Sequence, residues 1–485
     1  MHEVPSRSPI ILWFRRDLRL ADNVALEKAL STGAPIIPLY IREPNDPHAG
    51  ANGAAQAWWL RHSLAALDAE LQKRGNRLLL LTGDPRHLID WLVRDVGAQA
   101  VFWNRRYDGE GRETDTEIKA ELRKAGTRAE SSTGFLMHDP AVLQTRQGKR
   151  YAVYAPFWKS FSASYEPPSP LPAPKSIPAI DHGIESEYLD HWRLLPTHPD
   201  WAKGFSTLWQ PGEAGADKCV EEFISGHLPG YGHQRDFPAT PATSRLSPHL
   251  AFGEISPHAL WRAAADTKSP SADIERFRKE IVWREFAWHV YFHNPGMANT
   301  SLDHRFDRFG WKNAPDKLAA WQRGMTGYPI IDAGMRELWR TGTMHNRVRM
   351  IVASFLIKDL LIDWREGERW FRDTLLDADR ASNAFNWQWV AGCGADAAPF
   401  FRIFNPVRQG ETFDADGTYV RRWCPELAEL PDRYIHKPYE APQEVLGEAG
   451  IRLGETYPHP IADHTEAREA ALAAFRATRG DPGEE

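Results

Sequence analysis

Cysteine is scarce: Cys219, Cys393 and Cys424 are the only three in 485 residues, widely spaced and without a CxxC pair. That excludes a disulfide frame and a thiolate zinc site, and it points to a reducing, cytoplasmic compartment. Long apolar runs are also missing. Stretches such as Ile351 to Ile357 fall far short of the ~20 residues that a membrane helix needs. The opening MHEVPSRSPIILWFRRD has no extended apolar core, so no secretory leader is expected. No GxGxxG follows the first apolar run, and no P-loop or adenylation motif occurs. A nicotinamide dinucleotide site and a ligase-like nucleotide enzyme are therefore disfavoured. Neither a Ser-His-Asp set nor a metal-ligand cluster stands out. An excess of positive charge is lacking too: the formal net charge is −6, so a nucleic-acid partner would have to be met by a local basic patch.

What the chain has in plenty is tryptophan, 20 residues, of which those from Trp201 onward are the majority. Core packing and stacking surface account for indoles in general, and electron relay is the second use. The length predicts two domains. In the first 130 residues or so, short apolar runs (Pro9 to Phe14, Pro35 to Tyr40, Arg77 to Thr82, Ala100 to Trp103) alternate with helical segments. These include one after Asp22-Asn23, running to about Leu30, and one from Ala54 to Arg74. Fully apolar strands alternating with helices predict an α/β fold, a doubly wound, Rossmann-like parallel sheet with ligands at the strands' carboxyl ends. YEPPSPLPAPKSIPAI (Tyr165 to Ile180) reads as an extended connector. From Trp201 onward strand signals nearly vanish. Helical spacing covers Pro257 to Asp266, Ala272 to Tyr291, Pro315 to Arg323, Ile330 to Thr341 and His345 to Leu361, followed by an Ala/Glu/Arg-rich tail helix with polar final residues. The expected division is an α/β domain over 1–135, a Pro-rich connector over 136–200 and a large all-α domain over 201–485.

The most informative stretch is WREGERWFRDTLLDADRASNAFNWQW (Trp364 to Trp389). With it go TSRLSPHLAFGEISP (Thr243 to Pro257), KEIVWREF (Lys279 to Phe286), GYPIIDAGMREL (Gly327 to Leu338), MHNRVRM (Met344 to Met350) and WFRRDLRLADNVAL (Trp13 to Leu26). In this order, across essentially the whole chain, these motifs resemble the photolyase/cryptochrome family, most of all the bacterial photolyases for cyclobutane pyrimidine dimers. The resemblance implies an antenna domain followed by a catalytic domain that binds FAD.

By resemblance, Tyr231, Thr243, Ser244, Arg245, Leu246, Ser247 and Phe277 hold the flavin. A diphosphate suits the backbone N–H and hydroxyl donors of such a turn, although Ser247-Pro248 is also a plain helix start. Asp377, Ala378 and Asp379 take the place of the family's flavin-contacting acidic pair, with Arg349 paired to the first. Asn383 faces flavin N5. Trp387, Trp364 and Trp311 match the electron relay, from flavin to surface, while Trp321 and Trp370 read as packing. Glu280, Trp283, Asn346, Met350 and Trp389 match the dimer-contacting residues. A lesion must leave the stack to reach them, between aromatic walls. Arg235, Arg284, Arg347 and Arg408 match phosphate-facing positions, with Arg402, Arg421 and Arg422 as additions. The role of His345 stays open; the Asn346-Arg347 that follows it favours cyclobutane dimers over (6-4) lesions.

The implied mechanism passes an electron from excited FADH⁻ to the flipped dimer and back. The implied partner is damaged DNA; a monomer is expected, with no membrane, metal or obligate protein partner. WNRRYDGEGRETDTEI (Trp103 to Ile118) and YAVYAPFWKSF (Tyr151 to Phe161) resemble the segments that line the family's antenna cleft. Reduced folate (5,10-methenyltetrahydrofolate) ranks first there, with 8-hydroxydeazaflavin, another flavin or an empty cleft as alternatives. Asp108 stands where folate binders often carry Glu. The rival reading is a cryptochrome that signals through a protein partner. The retained Trp283 and the early end of the chain after the flavin domain weigh toward repair.

Overall fold

A computed structural model describes residues 8–43, 53–397 and 401–478. The first seven residues and the polar end of the tail lie outside it. The chain forms two compact units: Met1–Tyr151 with Ala155–Pro229 and Ser244–Pro295, and Ala152–Tyr154 with Gly230–Thr243 and Gly296–Glu485.

The first unit is built on five strands: β1 (Ile10–Phe14), β2 (Ile36–Arg42), β3 (Leu79–Thr82), β4 (Ala100–Asn104) and β5 (Arg128–Ser132). All pairs are parallel, in the order β3-β2-β1-β4-β5. Four helices alternate with them: α1 (Val24–Leu30), α2 (Ala54–Gln72), α3 (Pro85–Val96) and α4 (Gly109–Lys124). β1 and β4 are buried along their whole length, as a sheet covered on both faces requires. The strand order reverses between β1 and β4, which makes their carboxyl ends the switch point. There the Asn104 amide donates to Asp17 at 2.7 Å, and Arg106 bridges Glu43 at 2.7 Å and Asp115 at 2.8 Å. The Asp108 carboxylate caps α4, accepting from the Gly111 N–H at 2.7 Å.

The proline-rich segment lies against this unit. Proline has no N–H to offer, so it serves as a row of acceptors. Pro178 O takes the Ile36 N–H at 2.8 Å, Pro174 O takes Arg74 at 2.9 Å, and Pro167 O and Pro168 O take Arg262. The Ser271–His293 helix belongs to the same unit.

The second unit is helical around a large apolar core. Its central helices are Pro329–Thr341, Asn346–Ser354, Trp364–Thr374 and Arg380–Ala391. Gly334 lets the first two meet, since a Cβ there would stand 2.4 Å from a Val348 methyl. The helix expected over 345–361 is interrupted. Its α-helical part ends at Ser354, and Phe355–Asp359 forms a π turn. The turn's extra residue rotates the following face, and Lys358 is buried with its ammonium on the Arg402 carbonyl. Among the described residues, no helix is long and apolar enough to cross a membrane.

Candidate functional site

In the second unit, a hollow is lined by Asn346, Arg349, Met350, Asp377, Asn383 and Trp387, among others. Each element presents its residue for a local reason. His345 is the N-cap of the Asn346–Ser354 helix, its Nδ1 accepting from the Arg347 N–H at 3.2 Å. Burial lowers this imidazole to about 4, so it stays neutral and able to accept. That gives the open histidine a role: it starts the helix that carries Asn346, Arg349 and Met350. Asp379 caps the Arg380–Ala391 helix, accepting from the Ser382 N–H at 2.7 Å. This helix carries Asn383, Trp387 and Trp389.

Arg349 meets Asp377 Oδ2 at 2.9 Å and donates its Nε–H to the Met344 carbonyl at 2.7 Å. Asp377 Oδ1 is buried without a partner among the described residues. A buried carboxylate oxygen left bare is costly, so this atom is shaped for a ligand donor. The Asn383 amide nitrogen donates to the Glu368 carbonyl at 3.1 Å and to the Glu368 carboxylate at 3.0 Å. Its oxygen is left as the acceptor. Burial pushes the Glu368 carboxyl up, against the pull of Arg372. Glu368 escaped the sequence reading because a charged residue in an Arg/Glu-rich helix carries no sign that it faces inward.

The indoles are arranged around a glycine. A Cβ on Gly367 would stand 2.1 Å from the Trp387 ring, so this ring lies on bare backbone. Trp364 precedes Gly367 by one helical step of three and shares its face; it is fully buried. Trp311 is half-buried, 4.3 Å from Phe309 between ring centroids. Trp321, read as packing, is buried edge-on to Trp387 at 6.3 Å with its N–H on the Val352 carbonyl. Trp370 stacks on Trp339. Trp389 donates its N–H to the Asp396 carbonyl at 3.0 Å.

Tyr231, also of this unit, is buried and accepts from Arg235 at 3.3 Å. Arg235 itself is only 8% exposed, its guanidinium over the Tyr231 ring. There it braces Tyr231. Arg347 is half-buried on Asp236 at 2.9 Å and on the Phe413 ring. Arg402, Arg408 and Arg422 are exposed, and Arg421 is held by Asp432 at 2.8 Å. Thr243 is exposed at the unit's edge.

The first unit carries the remaining candidates. Ser244, Arg245 and Leu246 lead into the Ser247–Phe252 helix, which has no side-chain N-cap. Arg245 takes a left-handed φ of 57°, and its guanidinium lies over Trp209 at 4.5 Å. On the Ser271–His293 helix, Phe277 is buried against Phe223, and Glu280 and Trp283 are half-buried. Arg284 is held by protein groups as well. Its guanidinium donates to the Phe135 carbonyl at 3.1 Å and pairs with Glu285 at 3.3 Å, with the side chain 10% exposed. It ties Phe135 to the Ser271–His293 helix.

Residues 10–175 match the DNA photolyase family, and residues 277–477 match the FAD binding domain of DNA photolyase. Over 474 residues the chain is 58% identical to the deoxyribodipyrimidine photo-lyase of Agrobacterium fabrum, covering 97% of this chain and 98% of that one. It is 38% identical to cryptochrome-1 of Arabidopsis thaliana, covering 94% of this chain and 69% of that one. The crystal structure of a bacterial class III photolyase from Agrobacterium tumefaciens superposes with a TM-score of 0.95, at 57% identity and 98% coverage of each chain.

Proposed function

The chain belongs to the DNA photolyase family, and on that premise we propose that it repairs cyclobutane pyrimidine dimers in DNA. It is an enzyme of the photo-lyase class with an FAD-binding domain. The single observation that carries the reading is the hollow in which Asp377 Oδ1 is buried bare beside Arg349, with the Asn383 oxygen as a second free acceptor. An isoalloxazine edge carries N–H donors that suit these acceptors, so the residues fit the cofactor.

When bound and reduced, the flavin supplies under blue light the electron that opens the cyclobutane ring, and takes it back. Asp377 and Asp379 orient the ring, Arg349 keeps Asp377 in place, and Asn383 accepts at N5 without giving a proton. Tyr231, Thr243, Ser244, Arg245, Leu246, Ser247 and Phe277 hold the remainder of the cofactor. Trp387, Trp364 and Trp311 carry electrons inward to restore the reduced form. Glu280, Trp283, Asn346, Met350 and Trp389 receive the extruded dimer, the two indoles as walls and the polar groups at the pyrimidine edges. Arg347, Arg402, Arg408 and Arg422 meet phosphates. The division into 1–135, 136–200 and 201–485 by task, a monomeric state without an obligate partner, and a reduced folate as antenna belong to the same proposal. Extraction of the chromophores and their identification by mass tests the antenna, and a deazaflavin in the extract overturns it.

The deciding experiment gives reduced protein a UV-irradiated oligothymidylate under blue light and counts dimers by chromatography. Dimers disappear in the light and persist in the dark. Persistence in both, with flavin bound, overturns repair and leaves the cryptochrome reading that the similarity to cryptochrome-1 supports.

A further inference from the structure

The first unit holds a group that the repair chemistry does not use. Cys219, on the Glu213–Glu222 helix, is half-buried, and its sulfur lies 3.9 Å from Nε2 of His249. The other imidazole nitrogen, Nδ1, meets the Glu254 carboxylate at 2.5 Å. The second oxygen of Glu254 accepts the Trp59 indole N–H at 3.0 Å. His249 and Glu254 are fully buried, and the imidazole sits edge-on to Trp59 at 5.0 Å. The order is thiol, imidazole, carboxylate, with the carboxylate fixed from behind by an indole.

We propose that Cys219 is a modification site for small electrophiles of the peroxide and haloacetamide class, activated by the His249–Glu254 pair. With both carboxylate oxygens engaged, Glu254 holds the ring orientation and favours its charged form. Cys219 and Glu254 raise the imidazole to about 9, against the lowering by burial, so His249 carries a proton at neutral pH. An imidazolium beside a thiol stabilises the thiolate, and the thiolate is the nucleophile. Among the described residues the other two thiols have no such partner, and both are buried; burial pushes Cys393 up to about 12 and raises Cys424 as well.

The chemistry balances. With iodoacetamide, sulfur attacks the methylene carbon, a C–S bond forms, and iodide leaves with the C–I pair. With hydrogen peroxide, sulfur takes one oxygen as the O–O bond breaks. The leaving hydroxide takes a proton to become water, and the sulfur is oxidised by two electrons to the sulfenic acid.

The test measures iodoacetamide labelling of Cys219 by peptide mass mapping in the full folded protein, in the same chain unfolded in guanidinium at the same pH, and in His249→Gln. Exposure alone makes the unfolded chain the faster. Activation makes the folded protein the faster, by at least about tenfold, and His249→Gln removes that advantage. A folded rate at or below the unfolded rate overturns the proposal without reference to any variant. An unchanged rate in folded His249→Gln overturns the role of the imidazole.

Discussion

At the scale of single residues, two contacts govern the hollow. The first is steric. Alanine in place of Gly367 gains about 1 kcal/mol in helix propensity, but its Cβ would stand 2.1 Å from the Trp387 ring. Overpacking of that kind costs about 1–3 kcal/mol, so the clash wins. Gly367→Ala is expected to lower the unfolding midpoint and to slow light-driven flavin reduction at least about tenfold, read as the loss of oxidised-flavin absorbance. Photoreduction at the wild-type rate would show that the Trp387 ring needs no such seat. The second contact is electrostatic. Asp377→Ala leaves Arg349 without its carboxylate and removes the bare Oδ1 acceptor. Hydrogen bonds to charged groups contribute roughly 1.5–3 kcal/mol, so flavin affinity should fall at least about tenfold in a fluorescence titration, while Asp377→Asn recovers part of it. Equal affinities for all three proteins would place the flavin elsewhere.

At the scale of elements, the Asn346–Ser354 helix starts on an imidazole, and its cap is therefore sensitive to pH. Folded His345 titrates at about 4, against an ordinary value of 6.5. Between the two the unfolded chain binds more protons, so this term is whole above 6.5 and is lost on acidification toward 4. Glu337 accepts the His345 backbone N–H at 3.3 Å and the Tyr419 hydroxyl at 2.6 Å, and burial raises it to about 7 from 4.5. Its term has the opposite sign: whole below 4.5, and lost as pH rises toward 7. Relative to wild type, Glu337→Gln should become more favourable as pH rises across this window, and His345→Ser, which keeps a capping oxygen, more favourable as pH falls. Urea midpoints near pH 5 and pH 6.5 decide it; parallel profiles for all three proteins would sink the coupling. The same elements show what a sequence can disclose. β1, β2 and β4 were legible as apolar runs, and Asn23 as the cap of α1, because local pattern and burial coincide. β5, whose sequence is RAESS, was not read as a strand, since an edge strand can carry polar residues on its open side. The π turn at Phe355–Asp359 was hidden because burial on every side erases periodicity. The protein partners of Arg284 and Arg235 were not legible, because the carbonyls and rings that an arginine meets are set by the fold and not by local pattern.

At the scale of the whole molecule, the question is how a chain of net charge −6 binds a polyanion. The general field opposes the encounter, so affinity must come from a few cations set close to the strand and able to release counterions. Exposure separates the candidates: Arg402, Arg408 and Arg422 are open to solvent, whereas Arg235 and Arg284 are held inside by a ring and by carbonyls. Arg347 is already paired with Asp236. Contacts from these three exposed arginines alone would give a slope of log K against log salt of about −3 for duplex DNA, from roughly −0.9 per phosphate. Arg408→Ala should weaken binding to any sequence and flatten that slope by about one unit. Arg284→Ala should leave the slope alone and lower thermal stability instead, because it removes a strut between Phe135 and the Ser271–His293 helix. The two variants are measured side by side by fluorescence anisotropy over a salt series and by thermal melts. A slope that flattens in Arg284→Ala and not in Arg408→Ala would reverse the assignment, and it would mean that the side chain leaves its carbonyls to meet the DNA.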